Sequence, residues 1–361
     1  MFEIQPHPSP TPADRRAELL HAPGFGRVFT DHMVTIRYSE ARGWHDAAVG
    51  PRGPIALDPA AAVFHYAQEV FEGLKAYRGD GGGVLMFRPE ANARRFQQSA
   101  ERLAMPALPE ALFVEALEQL VRLDVAWIPD GDGSLYLRPF MIATEVFLGV
   151  KPSADYLFAV IASPVGSYFG AQTGALSVWV SQDYSRAAPG GTGAAKCGGN
   201  YAASLVAQAE AVARGCDQVV FLDAAERRWI EELGGMNVFF VFEDGSLRTP
   251  PLGTILPGIT RDAVIALARA RGLEVREAAY SLPQWREDAA AGRLREAFAC
   301  GTAAVVAAIG QVKTRDGDFM IGDGSEGPLT AELRTQLVAI QRGRSDDPHG
   351  WVRRVGFPAV S

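Results

Sequence analysis

The stretch Pro189-Gly190-Gly191-Thr192-Gly193-Ala194-Ala195-Lys196-Cys197-Gly198-Gly199-Asn200-Tyr201 decides how the rest of the sequence is read. Five glycines surround one lysine. Glycine lets a backbone approach a ligand closely and adopt positive φ. Burial among Ala194, Ala195 and Cys197 would lower the lysine pKa by desolvation, giving the neutral amine that Schiff-base chemistry needs. The competing reading is a surface loop with a solvated lysine. A nucleotide phosphate loop is disfavoured. That motif needs Gly-Lys-Ser/Thr, and here Lys196 stands between Ala195 and Cys197.

Composition makes the same lysine conspicuous. Of 35 basic residues only four are lysines: Lys75, Lys151, Lys196 and Lys313. Arginine serves nearly every basic surface role, so a lysine invites the question of what an amine does that a guanidinium cannot. The chain has 361 residues, 48% apolar and 21% charged, which predicts two globular domains. A net charge of −7 makes it a poor generic binder of nucleic acid or anionic membrane. The three cysteines, Cys197, Cys216 and Cys300, form no paired motif and read as reduced thiols of a cytoplasmic protein. The N-terminus carries Pro6, Pro8, Pro10 and Pro12 and no apolar core of a signal peptide. The uncharged run from Tyr156 to Gln182 is long enough to span a bilayer, but its prolines, glycines and polar side chains read as strand, loop and strand.

Outward from Lys196, residues 1–24 read as a proline-rich arm. Strands are predicted over 28–38, 84–87, 134–144 and 156–162, and helices over 62–71, 92–103 and 110–125. The second half predicts strands over 176–180, 218–223, 237–243, 298–300 and 305–309. Its helices are predicted over 201–214, 260–271 and 329–340, with Thr260 as an N-cap and Gly272 as a stop. Helices and strands mix without strict alternation, which is an α+β pattern. The boundaries expected are a smaller domain over 1–168, an interdomain loop over 169–181, and a larger domain over 182–361 that carries Lys196.

Three further segments could carry chemistry. In Trp229-Ile230-Glu231-Glu232-Leu233-Gly234-Gly235-Met236-Asn237 a carboxylate pair precedes a turn and an apolar strand. Such a carboxylate could hold a pyridinium nitrogen protonated; the alternative is two solvated turn residues. Leu256-Pro257-Gly258-Ile259-Thr260-Arg261 opens a helix, a place that favours anions. Cys300-Gly301-Thr302-Ala303-Ala304 could offer backbone amides to a carboxylate, or is simply a tightly packed bend. The six histidines never pair at metal-ligand spacing, and no Gly-x-Ser-x-Gly elbow occurs. Gly322-x-Gly324-x-x-Gly327 lies in an acidic stretch before Pro328 and reads as a polar turn.

In combination these motifs resemble the branched-chain amino acid aminotransferases, pyridoxal 5'-phosphate enzymes of fold type IV. The landmarks are Phe25-Gly26-x-x-Phe29-Thr30-Asp31-His32-Met33, His65-Tyr66, Phe71-Glu72-Gly73-Leu74-Lys75-Ala76, Phe87-Arg88-Pro89 and Leu135-Tyr136-Leu137-Arg138-Pro139. Lys196-x-Gly198-Gly199-Asn200-Tyr201, Glu232-Leu233-Gly234-Gly235-Met236-Asn237, Leu256-Pro257-Gly258 and Gly301-Thr302-Ala303 follow in order. The resemblance implies a two-domain fold with the cofactor in the cleft between domains, and a homodimer in which the neighbouring subunit lends pocket residues. It implies that Lys196 forms the Schiff base and shuttles the proton, Glu232 pairs with the pyridine nitrogen, and Tyr201 bonds the phenolic oxygen. Arg95 would hold the phosphate, with amides near Gly235, Thr254 and Ile255, and with Met236, Asn237 and Thr302 also at the cofactor. Tyr66, Thr302 and Ala303 would fix the substrate α-carboxylate. Phe25, Phe71, Tyr168 and Val150 would line an apolar pocket, and Tyr136 and Arg138 would meet the side-chain carboxylate of glutamate. The implied reaction moves the amino group between leucine, isoleucine or valine and 2-oxoglutarate.

Two positions depart from the family. Gly235 stands where several relatives have threonine, and Ala304 and Ala307 stand where mammalian members have a redox Cys-x-x-Cys. Other fold-type-IV enzymes, a D-amino acid transaminase or an aminodeoxychorismate lyase, are the nearest rivals. The long N-terminal segment, Tyr136-x-Arg138 and Gly301-Thr302-Ala303 favour the branched-chain reading. A non-catalytic binding protein on the same scaffold would not need Lys196, Glu232, Tyr201 and Arg95 together.

Overall fold

In the computed structural model, residues 2–166 and 174–357 are described. The first half forms β1 (Glu3–Ile4), α1 (Ala13–His21), β2 (His32–Ser39), β3 (Gly43–Pro51), α2 (Ala62–Tyr66), β4 (Glu69–Phe71), β5 (Leu74–Arg78), β6 (Val84–Phe87), α3 (Pro89–Arg102), α4 (Glu110–Leu123), β7 (Ser134–Ala143) and β8 (Asp155–Val165). The second half forms β9 (Leu176–Ser181), α5 (Gly198–Ala213), β10 (Gln218–Leu222), β11 (Ile230–Leu233), β12 (Asn237–Phe242), β13 (Leu247–Thr249), α6 (Ile259–Ala270), β14 (Val275–Glu277), α7 (Leu282–Ala290), β15 (Leu294–Gly301), β16 (Val305–Lys313), β17 (Phe319–Met320), α8 (Pro328–Gln341) and β18 (Val352–Val355).

The described chain divides into two compact units. The first contains residues 2–166, 195–198 and 339–357; the second contains 174–194 and 199–338. The two continuous halves expected from the sequence are therefore interleaved. Four residues around Lys196 and the C-terminal strand belong to the first unit, a long-range pairing that no local pattern signals.

In the first unit the sheet runs β1-β3-β2-β8-β7-β5-β6-β18, with β4 paired to β7. Val34, Ile36, Val70, Leu135, Leu137, Met141, Phe158 and Val160 point to a core closed by Phe96 of α3 and Phe113 of α4. The rings of Phe96, Phe113 and Phe158 lie 5.4–5.9 Å apart. The helix predicted over 62–71 is only one turn long. The chain leaves it through Ala67 in the left-handed conformation, and Glu69–Phe71 joins the sheet so that Val70 enters the core. The proline-rich arm also holds structure: β1 pairs with β3, and Thr11 donates from its hydroxyl to Asp31 at 2.6 Å.

In the second unit the sheet runs β11-β10-β9-β16-β15-β12-β13-β14, with β17 paired to β16. Phe239 and Phe298 stack across β12 and β15 at 5.1 Å, and Phe240 packs on Tyr280 and Trp285. The N-cap of α6 is Gly258, and Thr260 is buried inside the helix, which corrects the predicted cap. At α8 the buried Glu296 of β15 accepts the Leu329 and Thr330 amides at 3.0 and 2.8 Å and the Thr330 hydroxyl at 2.7 Å. These are the amides that a helix start leaves without intrahelical partners. Glu296→Ala should lower unfolding stability by about 2–3 kcal/mol, because it strands buried donors. Guanidinium denaturation of the variant checks this, with a loss under about 1 kcal/mol refuting the role.

Candidate active site

The first unit gathers one set of candidate residues on a single sheet face. Residues two apart on a strand share a face, so Glu69 sits with Phe71 on β4 and Tyr136 with Arg138 on β7. Phe71 pairs with Phe140, and Lys75 pairs with Tyr136, which puts all of these on the face opposite the core residues Val70, Leu135 and Leu137. Burial, with the neighbouring Arg342, pulls the Lys75 ammonium down to about 8.

Onto this face the chain folds Ala195–Gly198. Ala195 and Cys197 are buried in the first unit's core, which flanks Lys196 with apolar anchors. The Lys196 amide donates to Ser99 Oγ of α3 at 2.9 Å, and the Lys196 carbonyl accepts the Phe71 amide at 3.0 Å. The Gly198 amide donates to Glu69. A Cβ at Gly198 would collide with the Glu69 carboxylate, which would have to swing away and give up the Gly198 amide. The segment is thus anchored by its backbone, with Lys196 half-buried between the buried Ala195 and Cys197, while Ala194, expected to help bury it, is exposed. Lys196 Nζ and the Arg138 guanidinium carbon each lie 4.7 Å from the Phe71 ring centre. Arg138 also donates to the Tyr136 hydroxyl at 3.0 Å, and Phe25 packs edge-on against Tyr136 at 5.1 Å.

Beneath Lys196 lies a buried ion pair. Arg95 of α3 reaches Glu72 through Nε at 2.7 Å and Nη2 at 2.8 Å, and Asn92 donates to the same carboxylate at 2.7 Å. Burial alone would push the Glu72 carboxyl up. The Arg95 guanidinium, aided by Lys196 and Asn92, holds it below its usual range.

The second unit holds a separate set of candidate residues. Glu231 and Glu232 lie on β11 and both are buried, so the solvated-turn reading fails. Glu232 is fixed from three sides: Arg186 at 2.8 Å, the Leu256 amide at 3.0 Å and Asn237 Nδ2 at 3.3 Å. Glu231 accepts the Thr254 hydroxyl, and burial raises its carboxyl above the usual range. Two glycines permit close approach. A Cβ at Gly193 would collide with the Thr254 carbonyl, and one at Gly258 with Asn237 Oδ1. Thr254, Ile255 and Gly258 therefore form a compact backbone bend leading into α6, as an anion cup requires. At Gly235 a Cβ would stand 3.9 Å from the Tyr201 ring, an ordinary contact, so a larger residue would fit there. Met236 is buried and lies under Gly301, where a Cβ would meet its Cγ at 3.3 Å. Thr302 and Ala303 form the turn between β15 and β16, which ends at Val305 with φ 63°. Positive φ at a β-branched residue is strained, and such strain concentrates at functional sites. Cys300, buried beside this turn, has its thiol pushed up to about 12.

Tyr66 and Val150 stand elsewhere, on an exposed apolar ridge of the first unit with Phe64, Val146 and Leu148; Val150 is 88% exposed. The Tyr66 hydroxyl donates to the Leu148 carbonyl, tying the ridge together. Tyr168 lies outside the described residues. Sequence reasoning missed Glu69, Ser99, Asn92 and Arg186, because each acts through a contact far away in sequence. Arginine as the partner of Glu232 carries no local signal at all. Glu72 and Lys75 were visible only as members of a motif.

Residues 69–312 match the family model for class IV amino-transferases. The chain belongs to that family. It is 54% identical over 360 residues to the branched-chain-amino-acid aminotransferase of Mycolicibacterium smegmatis, covering 98% of each chain. The branched-chain amino acid aminotransferase from Escherichia coli superposes with a TM-score of 0.72 at 30% identity, covering 90% of this chain and 100% of that one. The T.th. branched-chain amino acid aminotransferase superposes at 0.71 with 29% identity, covering 89% and 98%. It does so both in complex with N-(5'-phosphopyridoxyl)-L-glutamate and with 4-methylvaleric acid.

Glu72→Gln should destabilise the first unit by about 3–5 kcal/mol at neutral pH, since it leaves Arg95 as an uncompensated buried charge. The Glu72 carboxyl is held low when folded, so its stabilisation is present above the usual carboxylate pKa and lost as pH falls through the lower native value. Urea unfolding of wild type and variant across the acid range should converge as pH falls.

Proposed function

We propose that this chain is a pyridoxal-phosphate transaminase that moves the amino group between L-branched-chain amino acids and 2-oxoglutarate. The observation that carries the reading is Lys196, pinned by its own backbone amide and carbonyl beside an aromatic ring and a second cation. The relatives' names supply the substrate class, and the two T.th. complexes supply both a glutamate adduct and an aliphatic acid.

The donor set fits pyridoxal 5'-phosphate. An amine (Lys196), a buried carboxylate held in one orientation (Glu232), a phenol (Tyr201) and a guanidinium (Arg95) are the four groups such a cofactor needs. The bend at Thr254, Ile255 and Gly258 with Gly235, Met236, Asn237 and Thr302 would hold its phosphate and ring. When bound, the cofactor supplies the electron sink that makes the substrate α-C–H acidic. The Lys196 amine takes that α-proton and returns one in the reverse half-reaction. The Arg186 contact holds the Glu232 carboxylate in one orientation, in which it would pair with a protonated ring nitrogen. The amides of Thr302 and Ala303 would bind the α-carboxylate and Phe25, Phe71 and Tyr168 would line the apolar pocket, while Tyr66 and Val150, which stand on the exposed ridge, would serve the pocket of a neighbouring subunit. Arg138 with Tyr136 would receive a side-chain carboxylate. Support comes from the Arg138 Nε, which is buried and has no hydrogen-bond partner among the described residues.

The working form is a cytoplasmic homodimer. The apolar ridge supports the dimer: Phe64, Val146, Leu148 and Val150 are each more than half exposed, a cluster that favours a partner surface. The three free, buried cysteines support a reducing compartment. The cofactor's phosphate lacks a threonine hydroxyl at position 235, so backbone amides carry more of that contact.

Lys196→Ala should abolish turnover and remove the visible absorption band that bleaches with L-leucine and returns with 2-oxoglutarate. A band in the wild type that answers D-alanine and ignores L-leucine would assign the D-amino acid rival instead. Leu148→Asp should turn the dimer into a monomer in light scattering at micromolar concentration, with activity falling at least about tenfold; an unchanged mass would place the interface elsewhere.

A further inference from the structure

Two buried carboxylates stand side by side on β11 and are served unequally. Neighbours on a strand point to opposite faces, so Glu231 and Glu232 meet different partners. Glu232 receives a guanidinium, a backbone amide and a side-chain amide. Glu231 receives, among the described residues, one hydroxyl, that of Thr254. Besides Glu232, its charged neighbours are Arg186, which favours the carboxylate, and Asp223, which opposes it. The backbone at Thr254 has little room to move. Its carbonyl lies against Gly193, where a Cβ would overlap it, and two residues on the Leu256 amide is held by Glu232. The part of Thr254 that can turn is its hydroxyl. A hydroxyl has one proton to give, and an ionised carboxylate can only accept. With Glu231 ionised, the Thr254 proton goes to it, and Thr254 offers an anion its backbone amide alone. A protonated Glu231 has a proton of its own to donate. It bonds Thr254 Oγ1, and the Thr254 O–H turns away to another acceptor.

We propose that Glu231 and Thr254 form a proton-sensitive grip on the cofactor's phosphate: an ionised Glu231 holds the Thr254 hydroxyl back, and a protonated Glu231 releases it to the phosphate. This rests on the reading of the bend at Thr254, Ile255 and Gly258 as the phosphate cup. Glu231 is then a positioning residue that acts on the phosphate through Thr254. The proton comes from solvent and stays on Glu231. Burial raises the Glu231 carboxyl above its usual range, which brings the protonated form toward neutral pH. The grip is tight at acid pH and weakens as pH rises through the Glu231 titration, because the anion binds better to the protonated form. Gly235 carries no hydroxyl, so the one on Thr254 counts for more in this chain. An ionised Glu231 also repels a phosphate directly. The two effects are separable, since only one of them passes through the Thr254 hydroxyl.

The test titrates the full-length apoprotein with sulfate by calorimetry, from mildly acid to mildly alkaline pH. Sulfate stays a dianion throughout, so any pH dependence belongs to the protein. Wild type should bind it about fivefold or more tighter at the acid end. Glu231→Gln, whose amide N–H donates to Thr254 Oγ1 at every pH, should keep the tight value throughout. Thr254→Val should keep the weak value, and adding Glu231→Gln to it should gain less than about twofold. A gain as large there as in the wild-type background would make Glu231 a bare repelling charge and overturn the proposal. So would a wild-type pH profile that matches Glu231→Gln. At alkaline pH Glu231→Gln should also tighten pyridoxal 5'-phosphate about fivefold and leave pyridoxal, which has no phosphate, within about twofold; equal changes for both would refute the grip. Hydrogen exchange at the Thr254, Ile255, Leu256 and Gly258 amides separates the two levels. If sulfate does not protect them, the phosphate-cup reading falls. If it does while Glu231→Gln binds like wild type at every pH, only the role of Glu231 falls. Should Glu231→Gln fail to fold, Thr254→Val decides alone: the acid-end gain of wild type must vanish in it.

Discussion

Everything the lysine can do depends on four residues, Ala195–Gly198, being held against the first unit's sheet. A lysine on a glycine-rich loop has several rotatable bonds and a strong preference for water. Fixing its backbone at two atoms, through Ser99 and Phe71, removes that freedom at the Cα, and burying Ala195 and Cys197 on either side keeps the segment seated. The glycines then have separate duties. Gly198 lets the backbone reach the Glu69 carboxylate, and Gly193 lets the preceding loop reach the Thr254 carbonyl. A side chain at either would collide, so these are demands of contact and not of turn geometry.

Much of this was legible in the sequence, and the reasons are local. Strands Val84–Phe87 and Ser134–Ala143 and helix Glu110–Leu123 announce themselves by apolar spacing, and the structure places them within a residue or two of the reading. The Lys196 segment stood out through glycine density and through the rarity of lysine. Failures came where a distant partner decided the outcome. Residues 69–71 look helical by spacing, yet pairing with β7 draws them into the sheet. Glu231 and Glu232 look like solvated turn residues until Arg186, Asn237, Thr254 and Leu256 close around them. The interleaving of the units at 195–198 and 339–357 has no local signature, because it is a property of contacts alone.

The two units use charge differently around their candidate residues. In the second unit a carboxylate is pinned by a guanidinium, a side-chain amide and a backbone amide, so Glu232 has one orientation and few ways to move. Such a group suits a constant task and not one that changes from step to step. In the first unit Glu72 and Arg95 form a similarly buried pair, with Nε and Nη2 of the guanidinium on the carboxylate. Both pairs are nearly inaccessible, and a buried pair of this kind costs desolvation that only complete hydrogen bonding offsets. Asn92 and Asn237 supply the extra bonds that make each pair tolerable.

Arg138 is the exception. Its guanidinium rests on Phe71 and Tyr136 rings, donates to one phenol, and leaves Nε without a partner among the described residues. A fully paired arginine would have nothing left for a substrate carboxylate. An arginine with no counter-charge would expel an aliphatic chain. Partial compensation by two π faces and one phenol lies between these limits: it would stabilise the cation enough to stay beside hydrocarbon and leave it open enough to bond a carboxylate. Substrate range in such a pocket is then set less by its shape than by how much of one guanidinium the protein itself has already satisfied.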